Sequence, residues 1–166
     1  MRIALVVVAA VAAALAGRSV AAGCARRAST LRAAMDALQA LRIQMLERHL
    51  PLHAALERSQ FEPFARAGAR VAGGEDAAQA WRAVQEAARK RGGKLDSLTR
   101  EDAEAFEAFF DGLGAGTRLT QEALFSAALR DLGRLEDEAR LVGAQKSRLY
   151  TTLGLLCALM LAIAFV

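Results

Sequence analysis

Thr117 to Val166 reads TRLTQEALFSAALRDLGRLEDEARLVGAQKSRLYTTLGLLCALMLAIAFV, without a proline and with its glycines isolated. Apolar residues return at Phe125, Ala128, Leu132, Leu135, Ala139 and Val142, a 3-4-3-4 spacing that lays one stripe along an α-helix. Nothing in this stretch breaks a helix, so it predicts one continuous helix of about 50 residues, roughly 70 Å long. Its last part, Leu149–Val166, is uncharged, and 18 helical residues reach about 27 Å, close to the roughly 30 Å of a hydrocarbon core. Tyr150 stands where an interfacial aromatic is expected, with Lys146 and Arg148 before it. A buried core helix needs one apolar face, whereas Leu153, Leu155, Leu156, Leu159, Leu161 and Ile163 cover all of them. The segment therefore reads as a transmembrane helix.

The other end is apolar too. Ile3–Ala16 lies between Arg2 and Arg18. Its helical length of about 21 Å falls short of a bilayer, unless the helix continues to Gly23 with Arg18 snorkelling to the headgroups. The same residues fit a cleaved signal with Arg2 as its basic start. Ala21-Ala22-Gly23-Cys24 is similar to a lipoprotein cleavage box, although Ala21 replaces the usual leucine. Local sequence leaves anchor and signal both open. If both ends span, Arg18, Arg26, Arg27 and Arg32 follow the first span and Arg140, Lys146 and Arg148 precede the second, against Arg2 alone outside. The positive-inside rule then puts the middle of the chain in the cytoplasm.

The chain divides accordingly into a transmembrane segment 1–23, a cytoplasmic bundle 24–148 and a transmembrane helix 149–166. Alanine, leucine and arginine dominate the middle, which favours helix, and no period-two alternation supports a strand. Leu31, Ala34, Leu38, Leu41 and Met45 make a second 3-4-3-4 seam, predicting a helix from about Ser29 to Arg48 that Pro51 stops. Pro51 also suits the first turn of a short helix, Leu52–Ser59. Further helices are expected over Pro63–Val71, Asp76–Arg91 and, opened by a capping box at Thr99 and Asp102, Arg100–Asp111. Gly73-Gly74, Gly92-Gly93 and Gly112 to Gly116 separate them. The fold class is an all-α bundle flanked by two membrane helices.

A net charge of +4 and a pI near 9.7 suggest nucleic acid, but the arginines alternate with Glu and Asp along every helix. Only Arg89-Lys90-Arg91 forms a run, at a helix end where cations offset the dipole. Cys24 and Cys157 lie at opposite ends, Cys157 inside an apolar segment, and two such cysteines build neither a disulfide framework nor a structural zinc site. His49 and His53 are four apart, yet Pro51 breaks the face between them. Gly112-Leu113-Gly114-Ala115-Gly116 follows a helix rather than a strand and lacks the Lys-Ser or Lys-Thr pair of a phosphate loop. Glu101, Asp102, Glu104 and Glu107 read as a solvated first turn. No nucleophile–base arrangement emerges, so the sequence predicts no enzyme, cofactor or small-molecule substrate. Trp81 is a core anchor whose indole is also suited to docking a partner.

Over its whole length the chain resembles the stage III sporulation protein AB family. The resemblance rests on Gly17 closing the first apolar segment and on the Leu31, Leu38, Leu41 seam. It continues through Pro51-Leu52 with Ala54-Ala55, Ala80-Trp81, Leu113-Gly114 with Gln121, and Leu153-Gly154-Leu155-Leu156. Thr117 departs from the family's Asp, Gln44 and Leu50 from its polar residues, and Cys157 from a glycine. The resemblance implies an uncleaved N-terminal anchor in the mother-cell membrane facing the forespore. It implies a part in the complex joining the two cells, and a helical domain similar to that of the type II secretion platform protein. A scaffold that docks the secretion-type ATPase stage III sporulation protein AA, beside other stage III sporulation A proteins, is the expected role. Candidate contact positions are Pro51, Leu52, Trp81, Leu113, Gly114 and Gln121. The alternative from local sequence is an envelope binding module lipidated at Cys24.

Overall fold

The computed structural model describes the backbone of residues 2–90, 92–114 and 117–164, and the side chains of 22–90, 92–114, 117–145, 149 and 152. The described residues are all-helical: α1 (Arg2–Arg42), a π turn (Ile43–Glu47), α2 (Leu52–Glu57), α3 (Glu62–Ala72), α4 (Ala77–Ala88), α5 (Arg100–Gly112) and α6 (Arg118–Ala164). They fall into two compact units, one of Met1–Arg26 with Asp137–Val166 and the other of Arg27–Glu136.

In the second unit α1 and α6 run antiparallel, because their partners descend on one helix as they ascend on the other. Arg32 faces Glu136 at 3.6 Å and Arg42 faces Glu122 at 3.0 Å. Between them, a Cβ on Gly133 would lie 3.6 Å from Met35 Cε. The two predicted seams meet in the core: Leu31, Ala34, Leu38 and Leu41 are buried, as are Phe125, Ala128, Leu132 and Leu135. Burying each leucine contributes roughly 1.5–3 kcal/mol relative to leaving it in water.

The short helices close the bundle in sequence, α2 on α3, α3 on α4 and α4 on α5. At the first crossing a Cβ on Gly68 would fall 2.6 Å from Glu57 N and 2.7 Å from Leu56 Cβ, so only glycine admits this approach. Asp76 caps α4 by accepting from Ala78 N at 3.0 Å. Trp81 then stacks flat on Phe110, with centroids 4.5 Å apart and planes 4° from parallel. Phe64 packs edge-on against both, at 5.5 Å from each. Phe109 continues the cluster to Phe125 of α6 at 5.2 Å. Leu95 and Leu98, in the connection after α4, are buried beneath it.

Three expectations change. The helix expected to start near Ser29 is continuous with α1 back to Arg2. Gly17 and Gly23 are single glycines in an Ala-rich run, and about 1 kcal/mol each does not end a helix. At its far end the expected α-helix to Arg48 widens into a π turn, with Arg48 N bonding Ile43 O at 3.1 Å. Pro51 forces the preceding residue out of helical geometry, and His49 reverses the chain with φ 53°. The third change concerns the acidic start of α5. Glu101 and Glu104 are exposed there, but Asp102 is fully buried and Glu107 half-buried. The capping box itself is present.

In the other unit a Cβ on Gly143 would lie 3.2 Å from Cys24 Cβ. The continuous helix expected from residue 117 is there as α6, of 47 residues. Among the described residues no helix is long and apolar enough to cross a membrane. The side chains of 1–21 and 153–166, on which the two expected spans rest, lie outside them, as do Arg91, Ala115 and Gly116.

Candidate functional site

Four helix ends gather at one end of the Arg27–Glu136 unit. The Arg42–Glu122 pair ties the end of α1 to the start of α6. A Cβ on Gly114 would lie 3.7 Å from Leu52 Cδ2, which sets the turn after α5 beside the start of α2. Pro51, at φ −63° and ψ 149°, is the extended residue that caps α2, with its carbonyl accepting from Ala55 N at 3.0 Å. It therefore precedes the first helical turn and does not occupy it.

Gln121 holds the other turn shut. Its Nε2 donates to Gly112 O at 3.1 Å, and its Oε1 accepts from Gly114 N at 3.3 Å. The carboxamide thus supplies both a donor and an acceptor to a turn whose backbone groups lie outside the helix ladders. Gly114 has φ 85°, a left-handed conformation that favours glycine. Thr117, which stands where the resembled family carries Asp, accepts from Thr120 N at 3.4 Å. Thr and Asp both cap helices this way, so the departure keeps the cap on α6.

Of the six candidate positions, Pro51, Leu52, Leu113, Gly114 and Gln121 belong to these adjoining turns. Pro51 and Gly114 are exposed, Leu52 is half-buried, and Leu113 and Gln121 are buried beneath them. Trp81 is elsewhere, sealed in the aromatic cluster. Sequence reasoning missed Ile43 and Leu119, which are 42% and 80% exposed and stand at this same end. Both are apolar residues off their helix's buried stripe, the one local sign that was available.

Remote from these turns, Arg27 Nε and Nη2 donate to Asp102 Oδ2 and Oδ1, both at 2.7 Å. Burial by itself pushes the Asp102 carboxyl up. The Arg27 hydrogen bonds and charge, with Thr99 N–H and hydroxyl, outweigh it and hold the carboxyl below its ordinary range. Glu101 is engaged by Arg134 and Asp111 by Arg82, each at 2.7 Å. His49 and His53 are both exposed. Among the described residues no three of His, Cys, Asp and Glu gather as a metal site.

The family model of stage III sporulation protein AB matches residues 2–166. The chain belongs to that family. A solved structure, "Stage III sporulation protein AB", superimposes with a TM-score of 0.61 at 23% identity, over 72% of this chain and 97% of that one. That likeness establishes the helical fold. No curated protein matches the chain. As a stage III sporulation protein AB, the chain is a sporulation protein, and its paired turns are the feature of the bundle that its sequence singles out.

Proposed function

We propose that the chain is a non-enzymatic membrane scaffold of the channel between mother cell and forespore. Segments 1–23 and 149–166 anchor it in the mother-cell membrane, and residues 24–148 stand in the cytoplasm. There the bundle docks the secretion-type ATPase stage III sporulation protein AA, in the company of other stage III sporulation A proteins. The observation that carries this reading is the pairing of the two turns: Pro51, Leu52 and Gly114 present backbone and apolar surface, while Leu113 and Gln121 fix them from beneath. Trp81 contributes by stiffening the core behind them. Family membership supports the sporulation setting, and the basic residues flanking the middle support the orientation.

Cys24, half-buried and free, gives the test. A membrane-impermeant maleimide should label the full-length chain only after cells are permeabilised. Labelling in intact cells would put the bundle across the membrane and end the ATPase-docking mechanism. A chain shortened by its first 23 residues and lipidated at Cys24 would instead be the envelope binding module.

A further inference from the structure

Within the Arg27–Glu136 unit, Ile43 and Leu119 are the large apolar side chains left exposed among the described residues. Leu119 precedes Glu122 by three residues on one face of α6, and Ile43 directly follows Arg42 in the chain, so both lie at the end of the bundle marked by the 3.0 Å Arg42–Glu122 pair. Leu50 and Leu52, half-buried, extend the apolar surface toward Gly114. An exposed leucine by itself is ordinary, but apolar groups gathered at one end leave a patch whose removal from water is favourable.

The charge around this patch has a positive balance. Arg48 and Arg118 are exposed there and enter no ion pair among the described residues. Elsewhere in the unit Arg70, Arg82 and Arg134 are matched with Glu75, Asp111 and Glu101, while Arg58, Arg89 and Arg130 are exposed outside such pairs among the described residues. Glu47 is the exposed carboxylate here besides Glu122 and Asp111, which Arg42 and Arg82 engage. His49 and His53, also exposed, add no negative charge.

We propose that this end is the docking surface itself, and that its partner presents an apolar side chain flanked by carboxylates. This inference rests on the docking reading above. Leu119 and Ile43 receive the apolar group, while Arg48 and Arg118 meet the carboxylates. Exposed rim charges act chiefly on encounter rate and salt dependence, whereas the apolar contact holds the complex together.

The probe is purified stage III sporulation protein AA, titrated against the full chain in lipid nanodiscs at low and high salt. Leu119→Ser should weaken binding at least tenfold at either salt. Arg48→Glu with Arg118→Glu should weaken it at least tenfold at low salt and flatten the salt dependence. Leu141→Ser removes an equally exposed leucine in the other unit and should change nothing. Unchanged Trp81 emission certifies the fold of each variant. Wild-type binding that survives both the leucine and the arginine changes would overturn this surface and leave docking standing. Absence of wild-type binding would sink the docking reading, and this inference with it.

Discussion

Replacing Arg27 with Met removes the counter-charge from a carboxylate that water does not reach. In the native chain Asp102 accepts two hydrogen bonds from Arg27 at 2.7 Å and one from Thr99 N at 2.8 Å. Breaking a buried pair by deleting one partner costs about 3–5 kcal/mol. The Thr99 bond survives the change and goes on stabilising the carboxylate, so the lower end, about 3 kcal/mol, is expected. With a urea dependence of about 2 kcal/mol per M, the unfolding midpoint should drop by about 1.5 M near neutral pH. Trp81 is the single tryptophan and is fully buried, so its emission reads the transition directly. The pH dependence gives a second check. In the native chain the Asp102 carboxyl lies below its ordinary value. Its stabilisation is therefore complete above about pH 4 and is lost as pH falls through the lower, folded value. In Arg27→Met burial is less opposed, and the carboxyl is expected to rise above its ordinary value. The variant's native state then takes up the proton first, so that stability returns as pH falls through the raised value. The gap between the two proteins should be widest near neutrality and narrow toward about pH 4. A gap below about 1 kcal/mol, the scale of a surface pair, or one that stays constant with pH, would refute this account.

Gly68→Ala should cost about 1–3 kcal/mol by overpacking the α2–α3 crossing, read as a lower urea midpoint with unchanged slope. Gln121→Leu strands the Gly112 carbonyl and the Gly114 N–H; a loss of about 1–3 kcal/mol is expected, with faster hydrogen exchange at Gly114. Gly114→Ala places a side chain on a residue with φ 85° and should cost about 1–2 kcal/mol in the same assay. Residues 24–148 alone should give a water-soluble chain with helical circular dichroism; a purified fragment without it would contradict an independently folding bundle.

The helical frame was legible because its signals are local. The stripes from Leu31 and from Phe125 repeat within one helix each, and the capping box at Thr99 spans three residues. Continuity of α1 was obscured by Gly17, which closes the first apolar segment although its neighbours are strong helix formers. The burial of Asp102 could not be read at all, since its partner Arg27 lies 75 residues away and first-turn acids are usually solvated. The π turn depends on where Pro51 must leave the helix, not on the identities of Ile43 to Glu47. At the candidate site, resemblance pointed to Gln121 and Gly114, but the sequence did not reveal that one carboxamide bonds both sides of their turn. Ile43 and Leu119 escaped notice because a single apolar residue off a stripe carries little information.

Connections between helices ordinarily absorb added residues with little loss. The one between α5 and α6 is different, because a side chain from inside α6 reaches back to backbone groups on both sides of Leu113. One residue inserted within α6, between Gln121 and Phe125, would rotate Gln121 by about 100° relative to the buried stripe and carry it away from both groups. The closure of this turn is therefore tied to the register of a helix that lies outside it.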